Sequence, residues 1–186
     1  MFRKTLLVMI AALTPAAALA HPGHDPGGIA AGLAHPLGGA DHLLAMISLG
    51  LLAAQRGGRA TWALPAGFVG AMLAGGALGA AGVPLPAVEP AILASAIVIG
   101  AMVAGALRPP LAATLAGAAL FGLAHGWAHG AEAPSGALLP FMAGFALATA
   151  ALHGVGILAG HAIPAMLLRG AGAAATLAGL MLAVAG

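Results

Sequence analysis

The chain has 186 residues, of which 62% are hydrophobic and 5% charged, and its mean hydropathy is +1.08. This balance excludes a soluble domain and a basic nucleic-acid-binding surface, and leaves an all-α polytopic membrane protein whose folding is the packing of helices in lipid. Cysteine is absent, so disulfides and thiolate metal sites are excluded as well.

Residues 1–20 read as a secretory signal peptide. Arg3 and Lys4 form its basic region, Thr5 to Leu13 its apolar core, and Ala18-Leu19-Ala20 an A-x-A cleavage site. An uncleaved first transmembrane helix is the other reading, but the apolar core before Pro15 is short for one. Cleavage removes two of the six basic residues, so Arg56, Arg59, Arg108 and Arg169 remain against Asp25, Asp41, Glu89 and Glu132.

Residues 21–28 form a Pro/Gly-rich leader predicted to lie in the periplasm. His21, His24 and Asp25 offer imidazole and carboxylate groups for loose capture of a divalent cation; an inert solvated segment fits the same composition. A square-planar amino-terminal site is excluded, because Pro22 has no N–H and the second histidine would be fourth in the mature chain.

Residues 29–186 are predicted to be one domain of six transmembrane helices. The first apolar run extends from about Ile29 to Ala54. It is followed by Ala60 to Ala81, Val88 to Leu107, Leu111 to Gly130, Ala137 to Gly160, and a last helix beginning near Pro164 or Gly170. Gly and Pro fill the breaks between them, as at Gly57-Gly58 and Pro109-Pro110. Small residues spaced by four, such as Gly75 with Gly79 and Gly100 with Ala104, predict close helix packing. With the mature N-terminus outside, all four arginines fall in the breaks after the first, third and fifth helices. The positive-inside rule therefore agrees with the export signal and predicts a bacterial inner-membrane protein with a periplasmic N-terminus.

Two polar clusters interrupt this apolar background. His35, Asp41 and His42 lie in the first helix, where an aspartate costs about 2.5–3.5 kcal/mol on insertion scales and so marks a candidate functional site. His125 and His129 in the fourth helix are i,i+4 neighbours on one face, with Glu132 one turn later. Gly126 and Gly130 leave room beside them for a neighbouring helix or an ion. Treating both helices as straight rods predicts a descending path: Glu132 and His129 at the outer mouth, His125 level with His35, then Asp41 and His42 near the midplane. Met46, one turn below His42, offers a thioether or simply packs in the core. His153 and His161 on the fifth helix either extend the path toward the cytoplasm or are hydrogen-bonded interior and interfacial residues. Pro36, Gly38 and Gly39 predict a locally loosened helix beside the first cluster.

Imidazole nitrogen with carboxylate oxygen suits Ni(II), Co(II), Zn(II) or Fe(II) rather than Ca or Mg. The alternative is an intramembrane enzyme or a haem-binding electron carrier using the same histidines. A His-Glu-x-x-His zinc protease is excluded, because Gly126 stands where the glutamate would be. No nucleotide-binding motif is present, so ATP is not the direct energy source.

These two clusters resemble the motifs of the HupE/UreJ family of bacterial nickel permeases. The family's His-x5-Asp-His motif is matched by His35, Asp41 and His42. Its Phe-His-Gly-x-Ala/Val-His-Gly-x-Glu motif is matched from His125 to Glu132, with Ala124 in place of the phenylalanine. The resemblance extends over essentially the whole chain. It implies a non-enzymatic permease that takes up nickel, or cobalt in some relatives, for metalloenzymes such as hydrogenase or urease. The Ala124 departure removes an aromatic neighbour of the site but no candidate ligand.

Overall fold

Lipid offers no hydrogen-bond partners to backbone amides, so an apolar chain of this kind closes them within helices. In a computed structural model the described residues are 28–133 and 136–185, and every regular element among them is an α-helix. The signal peptide and nearly all of the leader, with His21, His24 and Asp25, lie outside the described residues. Seven helices are formed among the described residues: α1 (Ile29–Gly38), α2 (Ala40–Arg56), α3 (Ala60–Ala80), α4 (Val88–Ala104), α5 (Leu111–Glu132), α6 (Leu138–Ala162) and α7 (Ala165–Ala185).

Four of them, α3, α5, α6 and α7, are long and apolar enough to cross a membrane, and the bent pair α1–α2 makes a fifth candidate span. Helix α4 has 17 residues, a length of about 25 Å. The expected first helix from Ile29 to Ala54 is thus not one rod. Pro36 removes a backbone donor, Gly39 is extended (φ −110°, ψ 124°), and α2 leaves α1 at 89°. The last helix begins at Ala165, ahead of Arg169. Arg169 is accommodated in the first turns because its Nε donates to the Ala104 carbonyl at the end of α4, 2.8 Å away.

The bundle is assembled through glycines. Helices α3 and α5 meet backbone to backbone: a Cβ on Gly75 or Gly79 would overlap the carbonyl oxygens of Leu123 and Trp127, and one on Gly126 or Gly130 those of Met72 and Gly76. The space beside His125 and His129 is therefore taken by a helix. Gly32 and Gly144 set the α1–α6 crossing, Gly50 and Gly156 the α2–α6 crossing, and Gly100 with Gly172 the α4–α7 contact. Such approach maximises van der Waals contact where lipid removes the usual hydrophobic drive. A core of Met46, Leu49, Leu52, Leu64, Phe68, Met72 and Phe145 fills the middle.

The α3–α5 contact makes a direct prediction. Gly126→Val should destabilise the purified protein by at least about 1–3 kcal/mol, the cost of overpacking a tight interior. Gly117→Ala, where an added methyl meets nothing within 4 Å, should leave it unchanged; thermal unfolding in detergent measures both.

Candidate metal centre

The break at Gly39 places the first polar cluster on both arms of a right angle. His35 sits in the last turn of α1, and Asp41 and His42 sit in the first turn of α2. Helix α5 brings His125 and His129 in its last two turns. One ring nitrogen each from His35, His42 and His129 lies within 4.8 Å of the others. His42 and His129 are buried and His35 is partly exposed.

The hydrogen bonds fix most of the ring orientations. Oδ1 of Asp41 accepts from the backbone N–H of His42 and from its Nδ1–H, both at 2.9 Å. The first bond satisfies one of the amides that the start of α2 leaves without a helical partner. The second puts the His42 proton on Nδ1 and leaves Nε2 with a free lone pair, the usual arrangement of a carboxylate behind a metal-ligating imidazole. That Nε2 accepts from Nε2–H of His129 at 2.7 Å, which leaves the His129 lone pair on Nδ1, buried without a partner among the described residues. His125 donates from Nδ1 to the Phe121 carbonyl at 2.8 Å, so its fully buried Nε2 also carries an unpartnered lone pair.

This geometry replaces the descending path expected from straight rods. The His35 ring lies 4.1 Å from that of His129, and the His42 ring lies 4.9 Å from His129 and 4.8 Å from His125. His35 therefore pairs with His129 rather than with His125. His42 stands beside both α5 histidines instead of a step below them, because the right-angle bend cancels the depth that a continuous helix would have added. Asp41 acts on His42 and is not one of the three gathered side chains. Glu132 is exposed at the end of α5 and lies outside the cluster, and Met46 is buried in the apolar core. His153 is buried on α6, with neither ring nitrogen partnered; His161 is exposed at the helix end.

Three phenylalanines that the motif analysis did not single out border the histidines. Phe145 lies 4.9 Å from His129 and 5.7 Å from His35, and Phe141 lies 5.5 Å from His35. Phe68 stands 5.3 Å from His125 and 5.2 Å from His153. The available signal was scarcity: the chain has five phenylalanines, and Phe141 and Phe145 are spaced i,i+4 at the start of α6. Ala124 packs with Val88, Ile92 and Ala128 in a second apolar cluster against α4, so the missing aromatic bears on that packing.

Three imidazoles with a ring nitrogen each within 4.8 Å of the others can hold a borderline divalent cation once their lone pairs turn to it. Nitrogens about 2.1 Å from such an ion in tetrahedral array are about 3.4 Å apart, wider than the 2.7 Å between Nε2 of His42 and Nε2 of His129 and inside the 4.8 Å span of the cluster, so the rings must readjust to take an ion. The description "HupE / UreJ protein" belongs to a family model that matches residues 7–182. Protein HupE of Rhizobium leguminosarum bv. viciae is 40% identical over 159 residues, which cover 84% of this chain and 82% of that protein. No solved structure gives a significant match. A match over nearly the whole length, together with both histidine motifs meeting in one cluster, makes this chain a member of the HupE/UreJ family.

Proposed function

We propose that the chain is a permease of the bacterial inner membrane that takes up Ni(II) for metalloenzymes such as hydrogenase or urease, accepting Co(II) or Zn(II) on the same donors. The observation that carries this reading is the convergence of His35, His42 and His129 from three helices, with Asp41 bonded behind His42. The cluster lies at the end of the bundle opposite Arg56, Arg108 and Arg169. With the arginines cytoplasmic, an ion from the periplasm meets the histidines first.

In this reading Glu132, exposed at the same end, draws the hydrated cation to the mouth. The imidazoles then replace its water, and Asp41 compensates part of its charge. The next nitrogens inward are Nε2 of His125 and the two of His153, all buried and unpartnered. His153 lies eight residues beyond Phe145 along α6, a rise of about 12 Å toward the arginine end. Phe68 touches both histidine rings and separates an outer holding site from an inner step. A haem carrier fits less well, because rings 4.1–4.9 Å apart enclose the space of an ion rather than of a macrocycle.

Three measurements test this. Nickel binding to the purified protein should weaken about 10–100-fold in Asp41→Asn, the usual cost of losing a carboxylate behind a metal-bound imidazole, with membrane insertion unchanged. Unaltered affinity would remove Asp41 from the site. A Cβ on Gly39 would lie 2.6 Å from Asp41 Oδ1 and 3.0 Å from His42 Nδ1. Gly39→Ala should therefore reproduce the Asp41→Asn defect although no ligand is changed, as a binding titration reads directly. His153→Leu should slow uptake at saturating nickel while leaving the half-saturating concentration nearly unchanged, a split seen when a step after binding is impaired. A shift in half-saturation alone would place His153 at the entrance instead.

A further inference from the structure

A second built feature lies at the opposite end of the bundle. Arg56, Gly57, Arg59, Ala60, Arg108 and Leu111 line a cavity of about 150 Å³ where the α2–α3 and α4–α5 turns meet. Two of its arginines are fixed by reciprocal bonds across the turns. Nη2 of Arg56 donates to the Pro109 carbonyl at 2.8 Å, and Nη2 of Arg108 donates to the Gln55 carbonyl at 3.0 Å. Nε and Nη1 of Arg56 are nevertheless buried without any partner among the described residues.

A guanidinium cannot shed its charge at any accessible pH, so buried and unpaired N–H groups on one call for an acceptor. The described protein supplies no carboxylate here. Asp41 starts α2, Glu89 lies in the first turn of α4 and Glu132 ends α5, which puts all three at the histidine end. Charge placement for topology explains why arginines occupy these turns. It does not explain why three of them converge on one cavity, or why one of the two clamped arginines is buried with N–H groups to spare. Planar guanidinium groups match the oxygens of a phosphate group, and helix ends lie at the depth of lipid headgroups.

We propose that this cavity binds a phosphate oxyanion, supplied by the headgroup of an anionic phospholipid in the leaflet at the arginine end. The bound anion neutralises Arg56 and ties the α2–α3 turn to the α4–α5 turn.

The test uses the full chain in neutral detergent, titrated separately with dioctanoyl phosphatidylglycerol, dioctanoyl phosphatidylcholine and inorganic phosphate while thermal unfolding is followed. Phosphatidylglycerol should raise the melting temperature saturably and phosphatidylcholine should not. Arg59→Gln removes a cavity arginine whose side chain makes no hydrogen bond to the described protein, and should weaken the effect about fivefold, the worth of one arginine near an anionic surface; Arg59→Lys should restore most of it. If inorganic phosphate gives the same saturable shift and competes with the lipid, the oxyanion site stands and its source is the free ion. The proposal is overturned if neither anion shifts the melting temperature, or if Arg59→Gln responds to phosphatidylglycerol as the unmodified chain does.

Discussion

A carboxylate at the edge of an apolar bundle is held by what its oxygens accept, and Oδ1 of Asp41 is bound twice by a single neighbour. One bond closes a free amide at the start of α2, and the other turns the His42 ring so that its lone pair faces α5. Helix formation and site assembly therefore rest on the same atom. The break at Gly39 makes this possible, since only at a helix start does an aspartate find an unclaimed backbone N–H beside the ring that it orients. Without the break, His35 and His42 would be stacked along one rod and could not both reach His129.

Most of the architecture was legible in the sequence, because lipid makes a helix of nearly every apolar run. The segment expected from Leu111 to Gly130 is observed from Leu111 to Glu132, and that from Ala137 to Gly160 from Leu138 to Ala162. The doubtful start of the last helix was settled by a tertiary bond: the Ala104 carbonyl accepts from Arg169 and lets a charged residue sit within the first turns. Val88 to Leu107 ended early, at Ala104, where the chain turns through Gly105 and left-handed Ala106.

The two histidine motifs were legible too, and three of their residues, His35, His42 and His129, meet in one cluster, but the arrangement was not legible. Pro36, Gly38 and Gly39 announce a weak point without giving the angle at which the chain leaves it, and the angle decides everything about depth. Rise per residue measures position only along an unbroken axis, so placing His42 below His35 failed at the first non-helical residue. The aromatic wall was hidden for a related reason. Phe141 and Phe145 belong to a helix with no motif of its own and meet the histidines only through the Gly32 and Gly144 crossing. Gly126 and Gly130 were ambiguous between space for an ion and space for a helix, and only the position of α3 resolves them.

The glycine seam between α3 and α5 has a mechanical consequence. Backbones in direct contact through Gly75, Gly79, Gly126 and Gly130 leave no compliant side chains between them, so His125 and His129 are mounted on a stiff wall. His35 and His42 sit on two helices joined at a right angle by one extended residue. The rings must readjust to take an ion, and the backbone joint at Gly39 lies on one side only: the cluster sets an unbroken helix against a hinged pair.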